Sequence, residues 1–192
     1  MEYRGDRDQA RTLRALSHEF GAAPAGEFKD SKTARVMSVT SGKGGVGKTV
    51  CVANLALILA RQGYRVLVID ADLGLANIDL YFGLSPRFNL NHFFAGEKGL
   101  DEILVQASEG IMILPAGSGV QKYTRLDSNQ KINLMEGLDL LHDRFDLVLI
   151  DTEAGISENV TYFNVAAQDI LVVTTPEPPA ISDAYALMKL LS

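Results

Sequence analysis

The stretch Gly42-Lys43-Gly44-Gly45-Val46-Gly47-Lys48-Thr49 decides the fold of this chain of 192 residues. It has the spacing GxxxxGK[ST], and it joins an apolar segment, residues 35–40, to a segment of helical composition, residues 48–62. A strand, a glycine-rich loop and a helix in this order form a phosphate-binding loop. Glycines let backbone N–H groups surround phosphate oxygens, and the helix N-terminus adds a partial positive charge.

Each residue type in the loop has a predicted role. Lys48 is expected to neutralise the β- and γ-phosphates of a nucleotide, and the Thr49 hydroxyl to bind Mg²⁺. Lys43 is additional, because a phosphate-binding loop needs no lysine at that position. The predicted nucleotide-binding residues are Gly42, Lys43, Gly44, Gly45, Val46, Gly47, Lys48 and Thr49.

Outside the loop, short apolar strands alternate with helical segments. The strands are rich in β-branched residues with little polar alternation, which is typical of strands buried on both faces. This alternation predicts an α/β fold with a doubly wound, mostly parallel sheet and helices on both faces. The predicted strands are residues 35–40, 65–70, 110–114, 146–151 and 169–174, and the predicted helices are residues 48–62, 76–82, 99–107, 127–143, 158–166 and 180–191.

Carboxylates follow two of the apolar strands. Asp70 and Asp72 come at the end of one strand, and Asp151 ends another in a Walker B pattern. Ligands bind at the carboxyl ends of strands in such sheets, and Asp151 is expected to hold Mg²⁺ through water. A single aspartate at a strand end is more often a cap or a turn residue. Together with the loop, in this order, the carboxylates favour a nucleotide site.

Composition excludes several classes of protein. The chain is 47% apolar and 22% charged, which supports a packed core rather than disorder. Its net charge of −6 gives no reason to expect direct nucleic-acid binding. A single cysteine excludes a disulfide framework or a cysteine-rich cluster built from this chain alone. With no secretory signal or membrane-spanning stretch in the sequence, we expect a cytoplasmic protein.

Charge and periodicity divide the chain into three predicted parts. Residues 1–20 contain an amphipathic helical pattern, residues 21–34 have linker composition, and residues 35–192 form the nucleotide-binding domain. The first 35 residues carry a net charge of +1, and the remainder is acidic. The apolar segment 180–191 would normally lead into another strand, so we expect that the sequence is the N-terminal portion of a longer protein.

The loop sequence KGGVGKT resembles the deviant Walker A motif of the MinD/ParA family of ATPases, and the resemblance extends over residues 35–191. It implies ATP or ADP with Mg²⁺ as cofactors and a homodimer that forms on ATP. In such a dimer Lys43 would reach the partner's phosphates, as an arginine finger does. The resemblance assigns catalytic roles to Lys43, Lys48 and Asp72, and metal binding to Thr49, Asp70 and Asp151.

Glu153 departs from the family pattern, which commonly has glycine or proline at this position. A carboxylate near the γ-phosphate would repel it. The resemblance therefore implies nucleotide binding more firmly than rapid hydrolysis, and a slow ATPase is expected.

Residues 8–14, DQARTLR, match the N-terminal motif of the FlhG branch (also FleN or YlxH), whose members regulate flagellar number and placement. The match implies that this segment stimulates the GTPase FlhF. Gln9 would reach the partner's nucleotide site, and Leu13 and Arg14 would dock the helix. In this branch a C-terminal amphipathic helix, which this sequence does not include, gives peripheral attachment to the inner membrane.

Three alternatives remain at the level of the sequence. A division-site MinD or a partitioning ParA would share the ATPase core but would have no reason to carry DQAxxLR. An iron–sulfur carrier of the same superfamily normally brings a CxxC motif, which is absent here. A nucleotide-binding adaptor with little hydrolysis is compatible with Glu153.

Overall fold

The computed structural model describes residues 34–74, 76–117 and 125–192. The predicted N-terminal helix and the predicted partner-binding residues Gln9, Leu13 and Arg14 lie outside these residues. Within them, six strands form one sheet. The strands are β1 (Arg35–Ser41), β2 (Val66–Ala71), β3 (Val105–Ser108), β4 (Ile111–Leu114), β5 (Leu147–Ala154) and β6 (Asp169–Val172).

Seven α-helices connect or follow these strands in the described part of the chain. A 3₁₀ turn, His142–Arg144, precedes β5. The helices are α1 (Lys48–Arg61), α2 (Ile78–Tyr81), α3 (Leu90–Phe94), α4 (Leu100–Ile103), α5 (Ser128–Asp139), α6 (Glu158–Ala166) and α7 (Pro178–Leu191). No helix among the described residues combines the length and the apolar character needed to cross a membrane.

The spatial order of the strands is β3-β4-β2-β5-β1-β6. Every pairing is parallel except that of β3 with β4. All six residues of β2 are buried, as the continuous apolar pattern indicates. The predicted fold class, a mostly parallel sheet with helices on both faces, is confirmed.

The predicted helix over residues 99–107 is wrong in its second half. Helix α4 ends at Ile103, and Leu104 is already extended with ψ 134°. Residues of β3 then pair antiparallel with β4, and Gly110, at φ +80°, makes the connecting turn. Pairing with a neighbouring strand overrides the helical pattern here, because edge-strand hydrogen bonds depend on tertiary contacts. Helix α3 was not predicted either.

Successive side chains of β5 up to Asp151 point to opposite faces of the sheet. Val148 and Ile150 border an apolar cavity of about 600 Å³ that also contacts Phe163 of α6. Asp151, one residue further, points the other way, where its carboxylate meets Lys48 of α1. The polar chemistry of the chain therefore lies on the α1 side of the sheet, at the carboxyl ends of the strands.

Candidate nucleotide-binding site

The loop between β1 and α1 adopts a conformation that requires glycine at two positions. Gly45 has φ +78° and Gly47 has φ +93°, both in the left-handed region that other residues rarely adopt. Gly47 also precedes the first residue of α1, where the helix N-terminus presents unpaired N–H groups. This arrangement is suited to an anion.

The loop borders a cavity of about 690 Å³. Carboxylates from the ends of two strands, Asp72 and Glu153, face it from the other side. Of the described residues that line it, Lys48 alone carries a positive charge. The lining consists of residues 44–50 with Ser41, Asp72, Gly74, Asn77, Tyr81, Glu153 and Ala154.

Lys48 and Asp151 form a buried ion pair with Nζ and Oδ1 2.6 Å apart. Their side chains are only 9% and 1% exposed, so little water screens the charges. Burial raises the pKa of Asp151, although the neighbouring Lys48 ammonium and the Thr49 side chain oppose the shift. The structure thus brings together three of the predicted residues at one point of the site.

Asp70 is buried beside them, since it is the register partner of Asp151 across β2 and β5. Its carboxylate accepts backbone N–H bonds from Asp72, Asn77 and Ile78 at 3.1–3.2 Å. Burial raises the pKa of Asp70 to about 7, against the opposing effect of these hydrogen bonds. Asp70 therefore shapes the turn after β2, and neither it nor Asp151 is among the residues that line the cavity.

Lys43 occupies a different position from Lys48. Its Nζ lies 3.3 Å from Glu177 Oε2, and both side chains are well exposed. Glu177 directly precedes Pro178 at the start of α7. Lys43 is not among the described residues that line the cavity next to its own loop.

Glu153 lies on the cavity wall and is held by a neighbour. Its carboxylate accepts a hydrogen bond from the Ser157 hydroxyl. Ser157 is also the N-cap of α6, where its oxygen accepts the Val160 N–H at 3.2 Å. Glu153, the residue that departs from the family pattern, is therefore hydrogen-bonded to the N-cap residue of α6.

Several residues of the site were not anticipated from the sequence. Asn77 and Tyr81 line the cavity, and Glu177 pairs with Lys43. Gly42 packs directly on α7, because a Cβ at this position would lie 2.3 Å from the Asp183 carbonyl carbon. Asn77 ends the sequence DADLGLAN, residues 70–77, and Tyr81 follows four residues later, so their closeness in sequence to Asp70 and Asp72 was the available signal for these two. The Gly42 contact with α7 had no such signal.

The donor atoms at this site fit Mg²⁺ and a phosphate chain. Thr49 and Asp72 are oxygen-bearing side chains that line the cavity, and the Asp151 carboxylate pairs with Lys48, the residue before Thr49. Oxygen ligands and retained water suit this ion. Lys48 and the loop N–H groups are suited to phosphate oxygens.

Comparisons with known proteins agree with this geometry. The family model described as an AAA domain, AAA_31, matches residues 34–192. The antiactivator FleN of Pseudomonas aeruginosa is 45% identical over 158 residues, and the flagellum site-determining protein YlxH of Helicobacter pylori is 37% identical over 169 residues. This chain belongs to the MinD/ParA-type ATPase family, close to FlhG.

The matches with these relatives cover 82% and 88% of this chain but only 56% and 58% of the relatives. The chain therefore spans little more than half of their length. Among solved structures, MinD of Pyrococcus horikoshii in complex with Mg-ADP is 30% identical with a TM-score of 0.69. MinD in the MinC:MinD complex of Aquifex aeolicus is 32% identical with a TM-score of 0.70. Each match covers 82% of this chain, and 65% and 63% of those chains.

Proposed function

We propose that this chain binds Mg·ATP at the phosphate loop, dimerises on it and hydrolyses it slowly to ADP and phosphate. The observation that carries the proposal is the cavity bordered by Gly44–Gly47, Lys48 and Thr49, with Asp72 facing them. The MinD relative in complex with Mg-ADP supports the choice of nucleotide.

The proposed reaction is an in-line displacement at the γ-phosphorus. The water oxygen bonds to phosphorus while the bond to the β,γ-bridging oxygen breaks, and ADP leaves with that electron pair. Asp72 orients the water, whose proton passes to the released phosphate or to solvent. Lys48 and the loop N–H groups stabilise charge on the phosphate oxygens. Thr49 and Asp151, with Asp70 behind them, would hold Mg²⁺, which neutralises phosphate charge when bound.

Lys43 of a second copy would supply a further cation to the site. In the single chain Lys43 points to Glu177 rather than into its own cavity, which is compatible with a role in the partner's site. A single-turnover phosphate-release assay tests the proposal with Lys43→Ala and Glu153→Gly. We expect the first change to reduce release at least tenfold, as loss of an arginine finger does, and the second to leave or increase it.

An unchanged rate in Lys43→Ala would contradict the role of a partner's lysine. Nucleotide binding without any turnover, in wild type and Glu153→Gly alike, would favour the alternative of a nucleotide-binding adaptor.

We further propose that the protein regulates flagellar number and placement. The 45% identity to FleN, above the 41% of a putative septum site-determining MinD, supports this assignment over division-site MinD. The DQAxxLR motif supports it over both MinD and a partitioning ParA. In this proposal Gln9, Leu13 and Arg14 contact the GTPase FlhF, and a longer form attaches peripherally to the inner membrane.

The FlhF assignment is tested by adding this chain to purified FlhF and measuring GTP hydrolysis. We expect stimulation by the full chain and none by a variant that lacks residues 1–20. Gln9→Ala provides a matched single-residue change with the rest of the segment intact. Equal rates with and without residues 1–20 would remove the proposed FlhF role while leaving the ATPase proposal untouched.

A further inference from the structure

We propose that Glu153 makes the single chain prefer a nucleoside diphosphate over a triphosphate, so that triphosphate binding requires a compensating positive charge. The inference rests on the proposed nucleotide site and adds a specificity-determining residue to it.

The position of Glu153 follows from the pairing of β5 with β1. Beyond Asp151 the register shifts at a bulge, and Ala154, the residue after Glu153, pairs with Ser41, where the phosphate loop begins. Glu153 therefore lines the same cavity as Lys48, whose Nζ lies 2.6 Å from the Asp151 carboxylate. A lysine at this loop position binds the β- and γ-phosphates, so the Glu153 side chain would share this cavity with the terminal phosphate.

The Glu153 carboxylate is held in place by its surroundings. The Ser157 hydroxyl donates a hydrogen bond to it, and Ser157 is itself fixed as the N-cap of α6. Glu153 also borders a second cavity of about 300 Å³ together with Arg125. That guanidinium already donates to Glu158 at 2.6 Å, so its charge is shared with another carboxylate. Ser157 is therefore a positioning residue for a charge on the cavity wall.

The charges that face the cavity do not balance a triphosphate. Among the described lining residues, Asp72 and Glu153 are acidic and Lys48 is the one cation. Lys48 is already paired with Asp151. A triphosphate brings more negative charge than a diphosphate into the cavity that Glu153 lines. Repulsion by this carboxylate therefore lowers the affinity for a triphosphate more than the affinity for a diphosphate.

The experiment compares affinities for Mg·ADP and for Mg·AMP-PNP, a triphosphate analogue that is not cleaved. Dissociation constants are measured on the full chain at concentrations where sedimentation shows single chains. In Glu153→Gln, which keeps the size of the side chain and an acceptor for Ser157, we expect AMP-PNP to bind about five- to tenfold more tightly. Affinity for ADP should change by about twofold or less.

Glu136→Gln is the matched control. It removes the same charge from an exposed position on α5 that lines neither the nucleotide cavity nor the second cavity. Its ratio of ADP to AMP-PNP affinity should equal that of wild type. Raising the ionic strength should move the wild-type ratio towards that of Glu153→Gln, because screening weakens the repulsion. A purely structural role of Glu153 would produce no such convergence.

The outcomes separate the two proposals. If wild type binds neither nucleotide, the proposed nucleotide-binding function fails. If wild type binds both and the affinity ratio in Glu153→Gln stays within twofold of wild type, the inference about Glu153 is overturned and nucleotide binding stands.

Discussion

Among single residues, Lys48 and Asp151 form a buried ion pair and also belong to the proposed phosphate-binding site. The loop lysine must be available to phosphate, yet in this structure it is buried against a carboxylate at 2.6 Å. Breaking a buried pair leaves a charge without a partner, which costs far more than losing a surface pair. A charged ligand at the loop would therefore meet a lysine that is already held in place.

Lys48→Met should lower the free energy of unfolding by about 3 kcal/mol, because Asp151 is left buried without its cation. Proton uptake by Asp151, whose pKa burial already raises, limits the loss. Denaturant unfolding measures the change. The double variant Lys48→Met/Asp151→Asn should be more stable than Lys48→Met alone. If the changes in free energy of unfolding of the two single variants simply add up in the double variant, the two side chains are not coupled.

Glu158 offers a test of pH dependence at a residue outside the nucleotide cavity. Hydrogen bonds from Lys131 and Arg125 lower its pKa to about 2 from 4.5. A lowered pKa in the folded state means that the stabilisation is complete above pH 4.5 and disappears as the pH falls towards 2.

We expect Glu158→Gln to be slightly less stable than wild type at pH 7, and this difference to shrink between pH 4.5 and 2. The effect is small because the side chain is half exposed and salt screens it. Urea unfolding of both proteins across this range measures it. A difference that is constant with pH would mean that the ion pairs do not contribute.

At the scale of secondary-structure elements, the contact between the phosphate loop and α7 links two distant parts of the sequence. Gly42 lies against the α7 backbone at Asp183, while Gly44, two residues on, has open space around it. The two glycines therefore serve different purposes. Gly42 allows the loop to pack on a helix, and Gly44 leaves room in the cavity.

Gly42→Ala should destabilise the chain by about 2 kcal/mol, because the new methyl group would meet helix backbone that cannot rotate away. Gly44→Ala should change stability by less than about 0.5 kcal/mol, since nothing lies within 4 Å of the added carbon. It should nevertheless weaken nucleotide binding by filling phosphate space.

Thermal unfolding and nucleotide titration of the two variants separate these roles. Equal stability of Gly42→Ala and Gly44→Ala would contradict the packing of the loop on α7.

At the scale of the whole molecule, the proposed site requires two copies of the chain. Two inactive variants should therefore complement each other when mixed. In a heterodimer of Lys43→Ala with Asp72→Ala, the site of the Lys43→Ala chain keeps Asp72 and receives Lys43 from its partner. Random pairing makes half of the dimers mixed, each with one working site, so the mixture should reach up to about a quarter of the wild-type rate.

Phosphate release by each variant alone provides the baseline for this experiment. Activity in the mixture no greater than the sum of the two baselines would mean that Lys43 acts within its own chain or not at all.

The sequence by itself determined the phosphate loop, the strands on either side of it and the class of fold. These are local properties: glycine spacing, apolar runs and a carboxylate at a strand end can be recognised without knowing what lies nearby in space. The same local signals placed Lys48, Thr49 and Asp151 in one site, since parallel strands present their carboxyl ends at the same edge of a sheet.

The tertiary structure decided the features that depend on partners distant in sequence. Val105–Ser108 becomes a strand because β4 pairs with it, although the segment has a helical pattern. Lys43 meets Glu177 across 134 positions of the chain, and Gly42 meets α7. Such contacts follow from how elements pack, and packing is a sum over many neighbours that no local window of sequence contains.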